Sequence, residues 1–84
     1  MALTIQQLAE RGIVRGARVV EIPGKPFERR PGTVLDVPGE LLIQVAWDSG
    51  EFSLENERNL GVIGVVLPER EVRKIDRPKV RHPR

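Results

Sequence analysis

The sequence predicts a mainly β fold: a small barrel of five strands with a short N-terminal helix and a flexible basic C-terminal tail. Three features carry that expectation. Between Gly32 and Phe52 the residues alternate with period two, Leu41, Ile43, Val45 and Trp47 falling on one face and Leu42, Gln44, Ala46 and Asp48 on the other, as in a half-buried strand. The same stretch is punctuated by Pro38-Gly39, which suits a tight turn, and by Asp48-Ser49-Gly50, which suits a type I turn closed by a glycine bulge. At 84 residues the chain has room for one economical core, because a domain near this size buries only about 60% of the surface that its unfolded chain exposes.

The elements follow in order. Thr4 and Gln7 form a T-x-x-Q capping box with Leu3 and Leu8 as a hydrophobic staple, so a helix is expected from Ile5 to about Arg11, with Ile5, Leu8 and Ala9 as its apolar stripe. Gly12 suits the left-handed residue that ends it, and Ile13 can return to Leu8. A helix this short is marginal without tertiary packing and is expected to plug one end of the barrel. Gly16 to Ile22 reads as the first strand, and the proline- and cation-rich PGKPFERRP that follows reads as a loop. Thr33 to Val37, Leu41 to Trp47 and Glu51 to Leu54 make a three-stranded meander. The polar run from Glu55 to Asn59 is a connection, and Ser53 to Asn56 can seed a helical turn. Val62 to Leu67 is a further strand whose internal Gly64 signals a bulge or a barrel corner. Pro68 to Glu71 suits a 3₁₀ turn and Val72 to Ile75 a short closing strand. The expected division is a capping helix over 1–12, the barrel over 13–76 and the tail over 77–84.

Composition narrows the function classes. There is no cysteine, hence no disulfide framework and no thiolate metal site. No apolar run approaches the ~18 residues of a membrane span, and the N-terminal residues lack the pattern of a secretory signal, so a cytoplasmic protein is expected. The net charge of +2 hides a segregation. Residues 70–84 hold seven basic and two acidic residues, a net of +5, whereas residues 1–69 hold seven basic and ten acidic residues, a net of −3.

Gly16-x-x-Val19, the loop, Gly32-Thr33-Val34 and then Val45-Ala46-Trp47-Asp48-Ser49-Gly50 resemble the KOW and bacterial Tudor-like modules, over about Gly16 to Ile75. The resemblance implies an SH3-like barrel. It also implies the setting of KOW modules, ribosomal proteins and transcription elongation factors, where barrel loops contact RNA, DNA or polymerase. Two departures matter. The full aromatic cage of methyl-lysine readers is not expected, since Phe27, Trp47 and Phe52 are the only aromatic residues. The Val-Gln-Ile-Tyr segment of plasmid-type dihydrofolate reductases, which share the barrel as pore-forming tetramers, is missing, with Val-Ile-Gly-Val-Val-Leu standing near its place.

No catalytic constellation is evident. His82 is the single histidine and lies in the tail, and the carboxylates Asp48, Glu51, Glu55 and Glu57 have no phosphate cradle or further ligand beside them. The expectation is a non-enzymatic binding module without cofactor or metal. Its nucleic-acid-binding residues would be Lys25, Phe27, Arg29 and Arg30 of the loop with Arg73, Lys74, Arg77, Lys79 and Arg81 of the C-terminal segment, although such a charge run can also be merely solubilising. An alternative surface, for a protein partner, comprises Trp47, Asp48, Glu51, Phe52, Glu55 and Glu57. Trp47 suits the core by its alternation, with stacking at the surface as the other option, and Phe52 suits either place. A pore-type oligomeric enzyme is the third reading.

Overall fold

Thr4 opens the first helix as its capping box requires. In the computed structural model, which describes residues 3–22 and 29–76, the Gln7 amide N–H donates to the Thr4 hydroxyl at 3.1 Å and the Thr4 N–H donates to the Gln7 side chain at 2.9 Å. Helix α1 spans Ile5–Glu10. At its other end Gly12 takes a φ of 89°, and the N–H groups of Ile13 and Gly12 donate to the carbonyls of Leu8 and Ala9, both at 2.9 Å, which is the Schellman pair. The stripe is narrower than expected: Leu8 is buried, while Ile5 and Ala9 are exposed. A two-turn helix laid across a barrel end touches it along one ridge, and Leu3 and Ile13, flanking the helix, complete the plug.

Five strands form one antiparallel sheet: β1 (Ala17–Glu21), β2 (Pro31–Asp36), β3 (Ile43–Trp47), β4 (Phe52–Glu55) and β5 (Leu60–Val66), in the order β4-β3-β2-β1-β5. The last strand therefore returns beside the first, as an SH3-like small barrel requires. The return is irregular, with Val19 opposite Val62 but Ala17 opposite Val66, and Gly64, at a φ of 99°, sits within that shift, where a bulge was expected. The β3–β4 turn also forms as read: the Gly50 N–H donates to the Trp47 carbonyl at 2.8 Å, the Trp47 N–H donates to the Glu51 carbonyl at 2.8 Å, and Gly50 takes a φ of 102°.

Several boundaries differ from the sequence reading. Strand β2 begins at Pro31, which stands opposite Val20; a proline is tolerated as the first residue of a strand, and its carbonyl accepts from the Asp48 N–H at 3.0 Å. Leu41 is not in a strand: Leu42 N–H donates to the Gly39 carbonyl, so Leu41 sits in that turn, 61% exposed, and β3 starts two residues later. Ser53 to Glu55 belong to β4, and the helical turn falls on Glu57–Asn59, a 3₁₀ turn whose Asn56 side chain accepts from the Arg58 N–H at 3.0 Å.

The largest correction concerns the end of the chain. The expected 3₁₀ turn and closing strand form a single helix, α2 (Glu69–Asp76). Val72 and Ile75 are three residues apart, which is helical rather than strand spacing. Glu69 and Glu71 lie at the electropositive start of the helix, and Arg73 and Lys74 in its last turn, where the helix dipole favours them. The helix covers the outer side of the sheet, where Val72 packs with Leu35 and Ala46 and is flanked by Leu67 and Ile75. Arg15 fastens it, donating to Glu69 at 2.9 Å and to the Leu35 carbonyl at 2.7 Å. The main core inside the barrel gathers Leu8, Ile13, Ala17, Val19, Val34, Ile43, Val45, Trp47 and Leu60. The sheet thus buries both of its faces along β2 and β3.

In that arrangement β2 passes so close to Trp47 that a Cβ on Gly32 would lie 2.8 Å from its ring, whereas a Cβ on Gly39 meets nothing within 4 Å. Gly32→Ala is therefore expected to cost about 1–3 kcal/mol through overpacking and Gly39→Ala to stay within about 0.5 kcal/mol, as urea denaturation of the two variants would measure.

Candidate functional site

The β3–β4 hairpin is where the structure gathers the residues of interest. Trp47 is 2% exposed and belongs to the core. Its indole N–H donates to the Ser53 hydroxyl at 2.7 Å, and that hydroxyl donates to Glu55 at 2.7 Å, so the polar atom of a buried ring is satisfied within the hairpin. The guanidinium carbon of Arg30 stands 4.5 Å from the Trp47 ring centroid. Arg30 is held there by Glu21, at 3.0 and 3.2 Å, and by Glu51. Arg30, immediately before β2, is thereby pinned to the hairpin turn.

A second arginine works from the neighbouring strand. Arg18 donates to both carboxylate oxygens of Asp48 at 2.7 Å and to the hydroxyl of the fully buried Thr33 at 2.8 Å. The hydrogen bonds from Arg18 hold the Asp48 carboxyl below its ordinary range, and those from Arg30 do the same for Glu21. Glu69 is lowered chiefly by its hydrogen bond from Arg15, with Arg73 adding to it. Arg18 and Arg30 are raised in turn.

Between this hairpin and the C-terminal end of α2 lies a groove of about 480 Å³, lined by Ala46, Trp47, Asp48, Gly50, Phe52, Lys74 and Ile75. Ala46 and Trp47 are buried, Ile75 is half-buried, and the Phe52 side chain on β4 is exposed at 51%. The apolar bed thus carries one cation, Lys74, which stands 3.6 Å from Glu71 on its own helix, and one anion, Asp48, which Arg18 pairs at 2.7 Å.

Of the residues singled out from the sequence, the fold brings Trp47, Asp48, Phe52 and Lys74 to this groove, with Arg30 stacked on Trp47 and Glu51 beside it. Arg29 is exposed near the start of β2, and Arg73 is exposed on α2, 3.3 Å from Glu69. Glu55 and Glu57 do not line the groove: Glu55 accepts from Ser53, and Glu57 pairs with Arg11 at 2.8 Å, next to α1. Lys25, Phe27, Arg77, Lys79 and Arg81 lie outside the described residues. Ile75 and Ala46 were missed as groove residues; the helical spacing of Ile75 from Val72 was the available signal. Among the described residues no group of three His, Cys, Asp or Glu side chains could hold a metal ion, and no helix is long and apolar enough to cross a membrane. Scans against protein-family models, curated proteins and solved structures find no match to this chain.

The lowered carboxylates set the response to acid. A group whose folded pKa lies below its unfolded one stabilises the fold above the unfolded value and loses that contribution as pH falls through the folded one. The melting temperature should therefore hold from neutral pH down to about pH 5 and fall below about pH 4. In Arg18→Gln, where Asp48 loses its partner, the fall should be shallower by the weight of one partly exposed pair, about 0.2–1 kcal/mol. Circular dichroism melts across pH would measure both slopes.

Proposed function

We propose that this protein is a non-catalytic module that binds nucleic acid, RNA or DNA, alone or within a nucleoprotein machine, through α2 with the basic sequence after it and the basic loop that ends at Arg30. The observation that carries this reading is the juxtaposition of Lys74 and the exposed Phe52 ring in one groove, Lys74 belonging to the segment 70–84, whose net charge is +5. A cation beside an available aromatic face is the combination that nucleic-acid-binding surfaces use, phosphates meeting the charge and bases the ring. The resemblance to KOW modules points the same way.

The competing reading, an adaptor that docks an acidic face on a basic protein, draws less support from the structure. Asp48 is paired with Arg18, Glu51 with Arg30 and Glu57 with Arg11, so three of its four carboxylates are already neutralised by the domain's own arginines. The long-range field that would steer a basic partner is correspondingly weak.

Fluorescence anisotropy of a labelled single-stranded RNA, titrated with the full chain over a range of salt concentrations, tests the reading. Affinity should fall steeply with salt. Replacing Arg70, Arg73 and Lys74 together by glutamine should weaken binding and flatten the log–log slope by about 2, at ~0.7 per neutralised phosphate on a single strand. No binding at low ionic strength, or a slope indifferent to the triple replacement, would contradict it.

A further inference from the structure

We infer that the groove between α2 and the β3–β4 hairpin takes unpaired nucleobases, so that the nucleic acid this domain prefers is single-stranded. The inference rests on the nucleic-acid reading above and adds to it what the groove contacts. Its walls are apolar: Ala46 and Trp47 form the bed, Ile75 closes the side under α2, and the Phe52 ring stands half exposed, outside both packed cores. At about 480 Å³ it falls within the usual range for small-ligand pockets, roughly 300–1,000 Å³. Charge is confined to the rim. Lys74, whose exposed pair with Glu71 at 3.6 Å is loose enough to exchange, offers an ammonium group to a phosphate, and the carboxylate of Asp48, which would otherwise repel a polyanion, accepts from Arg18 through both oxygens.

That combination selects among polyanions. A duplex turns its base faces onto one another and presents phosphates and groove edges, none of which matches an apolar bed. A single strand exposes a flat apolar base next to each phosphate, and every base has a π face, so an aromatic platform beside a cation binds it with little regard to sequence. An acidic peptide supplies the charge without the flat ring. The position of Phe52 on the edge strand β4 leaves its ring open to such a base, and Lys74 is carried to the same groove because Val72 and Arg15 fix α2 on the sheet.

Trp47, the single tryptophan, is buried but borders the groove, so its emission is the expected readout of occupancy. The test titrates the full chain with four probes: a short oligothymidylate, an abasic sugar–phosphate strand of equal length, a duplex of equal length and a polyglutamate peptide. Oligothymidylate should bind most tightly and be the one probe that changes Trp47 emission. Phe52→Ala should weaken oligothymidylate roughly 5- to 150-fold, the range expected for loss of one base–aromatic stack, and leave the abasic strand unchanged. Phe52→Leu, which keeps an apolar side chain on β4, should lose nearly as much and guards against a folding defect in the alanine variant. Equal affinity for oligothymidylate, abasic strand and duplex, with no effect of either substitution, overturns the base site while leaving the nucleic-acid reading standing. Failure of all three nucleic-acid probes at low ionic strength sinks that reading and this inference together. Polyglutamate binding tighter than oligothymidylate overturns both in favour of an acidic protein partner.

Discussion

The ring of Trp47 rests on the backbone of β2 at Gly32, at a distance that leaves no room for a side chain on that strand. Much of the remaining architecture is arranged around this contact. One face of the ring is covered by Arg30, which Glu21 and Glu51 hold in place, so the end of β1, the entry to β2 and the β3–β4 turn are tied to a single point. The indole N–H is satisfied within the hairpin by Ser53. Truncating a buried aromatic of this kind costs about 3–5 kcal/mol, against a total stability of roughly 5–15 kcal/mol for a small domain.

The groove follows from the same constraint. With Trp47 turned inward, its neighbour Ala46 faces the outer side of the sheet, where Leu35 and Val72 meet it and α2 docks. The small alanine and the open ring of Phe52, which stands opposite it on β4, leave a trough beside the helix instead of a filled interface. The charge segregation of the chain then acquires a geometry. Four arginines that precede α2 are spent on the domain's own carboxylates, Arg11 on Glu57, Arg15 on Glu69, Arg18 on Asp48 and Arg30 on Glu21 and Glu51. The last turn of α2 brings Lys74 of the basic segment to the trough.

Elements set by local signals were legible in the sequence. The capping box at Thr4, the Schellman return through Gly12 to Ile13 and the glycine bulge at Gly50 depend on residues within five positions of one another, and each forms as its residue types require. What could not be read depends on partners far apart. The three-residue spacing of Val72 and Ile75 is a single local signal in a short run, and docking on Leu35 and Ala46 is what shows it at work. The pairing of Arg18 with Asp48 needs the register of β1 on β2 and of β2 on β3, which puts Arg18 opposite Thr33 and Thr33 opposite Ala46. The groove combines both kinds of information. Phe52 and Trp47 could be singled out as aromatic residues flanking a turn, but nothing in the local sequence places Lys74 beside them.

On the proposed reading this trough, and not the outer edge of β5 or the acidic groups near α1, is the working surface. Amide and indole chemical shifts of the isotope-labelled full chain, followed during titration with a short single-stranded oligonucleotide, test it most directly. The largest changes are expected at Phe52, Lys74, Ile75 and the Trp47 indole N–H. Changes centred on Val62 to Val66, or on Glu55 and Glu57, with the trough silent, would contradict it.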